Sequence, residues 1–162
     1  VQTQPRGSAT RRPSFREVLA ALGVVLSLTF VGYELRQNTI AVQGQTRDSL
    51  ARAGEDWLMG IAADSSLSAA LAKMSRDEPM SSSDSTRLQY ALLAVTRHHE
   101  NVYLQVTAGT VDESGLLTYG WKGTALYTFS FYETSVWPRF RSIFSPDFIA
   151  AHEEAFPNLR SP

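Results

Sequence analysis

Cysteine is absent from this chain. That removes disulfides, thiolate nucleophiles and thiolate metal sites, and it fits a reducing or an oxidising compartment equally. A charge excess is also missing, because 15 basic side chains face 16 acidic ones and leave a formal net charge of −1. No overall field therefore recruits a polyanion, and no Lys/Arg stripe interleaves with aromatics, so nucleic acid is not an expected partner. Histidine pairs at metal-binding spacing, H-x-x-x-H or E-x-x-H, do not occur, and His152 lies far along the chain from His98 and His99. Neither a G-x-S-x-G elbow, a P-loop nor a dinucleotide fingerprint is present, so the sequence implies no cofactor. Finally, 162 residues are enough for one helical domain with an attached segment and short for two independent cores.

What is there begins with an apolar run. From Val18 to Tyr33, "VLAALGVVLSLTFVGY", no formal charge interrupts the chain. As a helix the run covers roughly 24 Å at ~1.5 Å per residue, slightly less than a hydrocarbon layer of about 30 Å. Phe15 and Leu35 extend it, Arg16 and Arg36 can reach toward headgroups, and Tyr33 suits an interface. Ser14-Phe15-Arg16-Glu17 after Pro13 reads as a capping box that starts the helix just outside the run.

A cleaved signal peptide should end in small residues, whereas this run continues into "ELRQN". A core helix should show a polar face, and here only Ser27 and Thr29 interrupt, both able to bond back to their own backbone. The expectation is an uncleaved membrane anchor over residues 14–35, preceded by a disordered segment over 1–13. Arg6, Arg11, Arg12 and Arg16 precede the run, while Arg36, Arg47 and Arg52 follow at wider spacing. This bias favours a cytoplasmic N-terminus and an extracytoplasmic remainder. Gly23 and Ser27 form a small-x-x-x-small pair that would let two anchors pack face to face.

Beyond the run, residues 36–162 read as a helical soluble domain. Leu35, Thr39, Val42, Thr46, Leu50, Ala53, Trp57 and Ile61 recur at steps of three and four, so one helix is expected from about Ser14 to about Ala62, with Gly44 and Gly54 as weak points. Its outer half would be a stalk with one apolar face. A short helix capped at Asp64 and Ser65 should follow, with Leu67, Leu71 and Met74 on its apolar side, and then a Ser-rich break from Pro79 to Ser85.

Asp84 can cap the next helix, whose Leu88, Leu92, Val95, His99, Val102 and Val106 alternate by four and three. Its natural partner is the outer half of the first helix. "AGTVDESG", Ala108 to Gly115, is a turn. Leu117, Trp121, Ala125, Phe129 and Tyr132 are spaced as on a helix, although "ALYTFSFY" also alternates like a strand. Two short helices are expected after Ser135 and after Ser145, the second from Pro146 to about Ala155. Aromatic residues crowd between Tyr119 and Phe148, as a small core would use them.

The strongest polar group is "TRHHENVY", Thr96 to Tyr103, in which His99, Glu100 and Tyr103 could converge on one side of a helix for acid-base work. The alternative, which the heptad-like stripe favours, makes His99 a satisfied core residue and Arg97 with Glu100 an ordinary surface pair.

At "SLTFVGYELRQNT", Ser27 to Thr39, the chain resembles a large group of uncharacterised small bacterial membrane proteins that share a "SLxFVGxQxRQNT"-like signature. "RHHENVYLQ", Arg97 to Gln105, and "FSPDF", Phe144 to Phe148, resemble recurring features of the same group. Glu34 departs from the glutamine common there and places a charge at the membrane edge. The resemblance implies a single-span bacterial membrane protein and contributes no reaction.

The sequence thus leads to an all-α protein: a long N-terminal helix, membrane span then stalk, packed with a small helical bundle. The expected partners are the lipid bilayer and a homodimer mate or another membrane protein. The expected role is binding or structural interaction in a bacterial inner membrane, not enzymatic. The alternatives are a tethered enzyme using His99, Glu100 and Tyr103, and a sensor that depends on a partner for its output.

Overall fold

The structure is a computed structural model that describes residues 14–120, 122 and 124–160. The segment 1–13 expected to be disordered lies outside these residues, as does Trp121. The fold is all-α, with no strand among the described residues. The chain divides into two units, Val1–Ala41 and Val42–Pro162.

The described part of the first unit is a single stretch of α1, a helix that runs from Phe15 to Ala63. The capping box forms: Ser14 N–H donates to Glu17 Oε2 at 2.7 Å, and Glu17 N–H donates to Ser14 Oγ at 3.4 Å. Ser27 Oγ donates to the Gly23 carbonyl (2.9 Å) and Thr29 Oγ1 to the Val25 carbonyl (2.8 Å), so both hydroxyls are satisfied within the helix. α1 is long and apolar enough to cross a membrane, and none of its apolar window is buried by the described residues. Leu26, Leu28 and Phe30 are 69%, 66% and 63% exposed.

The second unit opens with the remainder of α1, which passes Gly44 and Gly54 without interruption and buries Leu50. Asp64 ends it and caps α2 (Ser65–Ser75), accepting from the N–H groups of Ser66 and Leu67 at 2.9 and 3.0 Å. α2 buries Ala70 and Met74, with Leu67 and Leu71 packed against the core.

α3 (Ser82–Thr107) starts inside the stretch expected to be a linker. Its cap is Ser81, whose hydroxyl accepts from Asp84 N–H at 3.1 Å. Asp84 was expected in that role but sits in the first turn, where its charge suits the helix dipole. Leu88, Leu92, Val95, His99 and Val102 are all buried, as the four-three spacing requires. α2 and the C-terminal elements, rather than α1, supply the larger part of the packing on α3. α1 touches it through the Trp57 indole N–H, which donates to the Ala91 carbonyl at 3.4 Å.

Gly109, at φ 72°, turns the chain out of α3. Its N–H donates to the Val106 carbonyl and that of Thr110 to the Gln105 carbonyl, both at 3.0 Å, which is a Schellman closure. The same turn is tied to α1 by the Arg47–Asp112 ion pair at 2.7 Å.

The single helix expected through Leu117, Ala125, Phe129 and Tyr132 does not form. Instead a one-turn α4 (Gly115–Thr118), a 3-10 turn at Leu126–Thr128 and a π turn at Tyr132–Val136 follow in series. Gly120 breaks the pattern: a Cβ there would lie 2.8 Å from the Leu116 carbonyl oxygen, so the chain folds back tighter than a helix permits. The π turn leads into α5 (Trp137–Phe140), with Ser135 inside the turn instead of capping a helix. A 3-10 turn at Arg141–Ile143 precedes α6, which covers Pro146–Ala155.

The core lies between α3 and these short elements. Tyr127, Tyr132, Trp137, Phe144 and Phe148 are buried in it. Trp137 and Phe144 stack with centroids 5.7 Å apart, and Phe144 meets Phe148 at 5.5 Å.

Candidate functional site

α3 carries the polar side chains from which any site must be built, because its inward stripe is interrupted by Thr96, His99 and Glu100, all buried. The fold gives the four residues singled out by sequence different surroundings. His99 Nδ1 hydrogen-bonds the Tyr127 hydroxyl. Glu100 is not half of a surface pair: it is buried, its Oε2 accepts from Arg97, and its Oε1 accepts from the Ser145 N–H at 2.7 Å. Glu100 thus reaches the start of α6, where orphan N–H groups and the helix dipole favour a carboxylate. Arg97 also lies over the Phe144 ring at 5.2 Å. Tyr103 packs edge-on against Phe148 at 5.8 Å.

His152 was remote in sequence, yet the fold sets it close to His99 with the Tyr127 ring between them. The His99–Tyr127 and Tyr127–His152 centroid distances are 5.6 and 4.5 Å. A chain of hydrogen bonds runs beside them. Thr96 Oγ1 donates to the Leu92 carbonyl at 2.7 Å, so the Tyr132 hydroxyl must donate to Thr96 Oγ1 at 3.1 Å. The Tyr132 oxygen is then left to accept from His152 Nε2 at 3.4 Å.

Burial governs the titration of this cluster. It holds His99 down to about 3, with the neighbouring His98 and His152 acting in the same direction. It holds His152 down to about 3 as well, against the opposing pull of Glu153. Tyr127 and Tyr132 are pushed above the ordinary phenol value, again chiefly by burial. All four are therefore neutral at physiological pH. No group of histidine and carboxylate side chains among the described residues is placed to hold a metal ion.

A cleft of about 560 Å³ opens on the other side of His99. Leu50, Gly54 and Trp57 of α1 form one wall, and Val95, His98 and His99 of α3 form the opposite one. Tyr119 and Leu126 close the end. His98 Nε2 lies 3.1 Å from the Tyr119 carbonyl, which can only accept, so Nε2 carries the proton of the neutral ring. Burial lowers the His98 pKa, opposed by that hydrogen bond.

Sequence reasoning missed Tyr127 and the cleft, and it placed Tyr132 on an apolar stripe without its hydrogen bonds to Thr96 and His152. Only the crowding of aromatics between Tyr119 and Phe148 hinted at Tyr127. In the other unit, Gly23 and Ser27 lie on the exposed apolar face of α1, with nothing within 4 Å of a Cβ added at Gly23. No family model, curated protein or solved structure matches this chain.

Proposed function

We propose that this protein is a single-span membrane protein whose helical domain, Val42 to its C-terminus, acts as a binding or structural interaction module and not as an enzyme. The observation that carries the reading is the apolar half of α1, which none of the described residues buries. In water such a surface would be strongly unfavourable, whereas hydrocarbon solvates it and the helix satisfies its own backbone. Ser27 and Thr29 support this, since both hydroxyls bond within the helix and present no unmet polar atom to lipid.

The resemblance of Ser27–Thr39 to small bacterial membrane proteins is the feature that favours a bacterial inner membrane for this span. The arginine bias supports a cytoplasmic N-terminus and an extracytoplasmic domain. A second copy or another membrane protein, meeting the face that carries Gly23 and Ser27, is the partner this reading favours. An enzymatic role for His99, Glu100 and Tyr103 has less support, because His99 is engaged by Tyr127 and Glu100 by Arg97 and Ser145.

The test is fractionation of the full chain with a C-terminal alkaline phosphatase fusion. Recovery in the membrane after an alkaline wash, with an active phosphatase, is the expected result. An intact chain in the soluble fraction would overturn the anchor, and an inactive reporter on a membrane-bound chain would reverse the orientation.

A further inference from the structure

The cleft between α1 and α3 is left unexplained by the anchor. Its volume, about 560 Å³, lies within the ~300–1,000 Å³ typical of small-molecule sites. Small residues keep it open: Ala53 and Gly54 on α1, Ala94 on α3 and Gly120 at its end. A Cβ added at Gly54 would meet nothing within 4 Å, so the space above that backbone is empty.

The polar groups in its walls are largely spent on the protein. Trp57 Nε1 donates to the Ala91 carbonyl, His98 Nε2 to the Tyr119 carbonyl, and Thr118 Oγ1 to the Ser114 carbonyl at 3.1 Å. Thr124 Oγ1 accepts from the Leu126 N–H at 3.2 Å, and His99 Nδ1 is joined to Tyr127. Among the described residues no Lys or Arg lines the space, and Glu55, the one carboxylate among them there, is exposed. With both histidines neutral, an anionic group entering the cleft would lose water and gain no counter-ion, and a cation would meet only the exposed Glu55, where water screens the pairing.

We infer that the cleft bounded by Leu50, Gly54, Trp57, Val95 and His98 binds an uncharged, predominantly apolar small molecule. This deepens the binding-module reading by naming the class of ligand. Affinity comes from apolar area against Leu50, Trp57, Leu58 and Val95. Selectivity comes from the missing charge partners, which penalise an anion of the same skeleton.

The test titrates the full chain in phosphatidylcholine nanodiscs with N-phenyl-1-naphthylamine, an uncharged fluorescent probe, using empty nanodiscs as baseline. The sulfonated analogue 1-anilinonaphthalene-8-sulfonate is titrated in parallel. If the chain stays outside the discs, the same titrations are made in buffer, so failure of the anchor and failure of the cleft are read separately.

Saturable binding of about one probe per chain is expected, with the sulfonate at least tenfold weaker. Gly54→Leu and Ala94→Leu fill the cleft from opposite walls, and each should weaken binding at least tenfold at unchanged helical circular dichroism. Gly54→Leu replaces a poor helix former with a good one, and Ala94 is exposed, so neither change threatens the fold. Probe signal no greater than the baseline, equal binding of the sulfonate, or unchanged binding in the two variants would each overturn the inference.

Discussion

His99 and His152 sit close together around the Tyr127 ring, and both are kept neutral by burial. Unfolding returns each to a pKa near 6.5, so between about pH 6.5 and about pH 3 the unfolded chain binds protons that the folded chain does not. Stability therefore falls as pH drops through that window, by about 1.4 kcal/mol per pH unit for each histidine. Urea midpoints measured from pH 7 to pH 4 should decline, and His152→Phe should reduce the slope by roughly a third to a half, since burial also lowers the His98 pKa. A midpoint flat across this range would contradict the burial. Glu100 makes a second prediction at this scale. Glu100→Ala strips the Ser145 N–H of its charged acceptor and should cost about 1.5–3 kcal/mol in denaturant unfolding. Glu100→Gln keeps an acceptor and should cost clearly less. The sequence placed His99 in the core because its spacing with Leu92, Val95 and Val102 needed only local helix geometry. It gave no sign that Glu100 would be buried, since Ser145 lies 45 residues away and only the tertiary fold brings it there.

Among the elements, those with one dominant period and clear punctuation were legible. α1 was expected from about Ser14 to about Ala62 and runs from Phe15 to Ala63, while α6 begins at Pro146 as expected, with proline in the first turn, although the Ser145 hydroxyl before it makes no capping bond. The segment from Leu117 to Tyr132 carried helix and strand periods together, and close packing decided between them in favour of short irregular turns. Gly115 shows how tight that packing is, for a Cβ there would fall 2.4 Å from Val111 Cγ1. The start of α3 was also displaced, because three serines before Asp84 offered equivalent caps and Ser81 took the role. Ser81→Ala should therefore cost about 1 kcal/mol of stability, read as a shift in urea midpoint. No loss on that substitution would argue that the helix begins nearer Asp84.

For the whole molecule, the decisive physical contrast is between the two units. Val42 to the C-terminus buries its own aromatic core, whereas the apolar stretch of α1 from Val18 to Tyr33 is exposed throughout. The long apolar helix was legible because an uncharged run needs no tertiary contact to be recognised. The cleft was not, because it depends on Leu50, Val95 and Leu126 meeting from three separate parts of the chain. The central claim is that lipid solvates the exposed stretch, and it predicts that a charge at mid-span, as in Leu26→Arg, lowers membrane recovery, at a cost of about 2.5–3.5 kcal/mol in insertion.

The most direct measurement uses the absence of cysteine, which gives single-cysteine variants a clean background. Leu26→Cys and Ser83→Cys, made separately in the full chain, are exposed to a water-soluble maleimide in opened native membranes. Protection of position 26 until detergent is added, with ready labelling at position 83, is the result predicted by a lipid-embedded helix. Equal labelling at the two positions before detergent would contradict it.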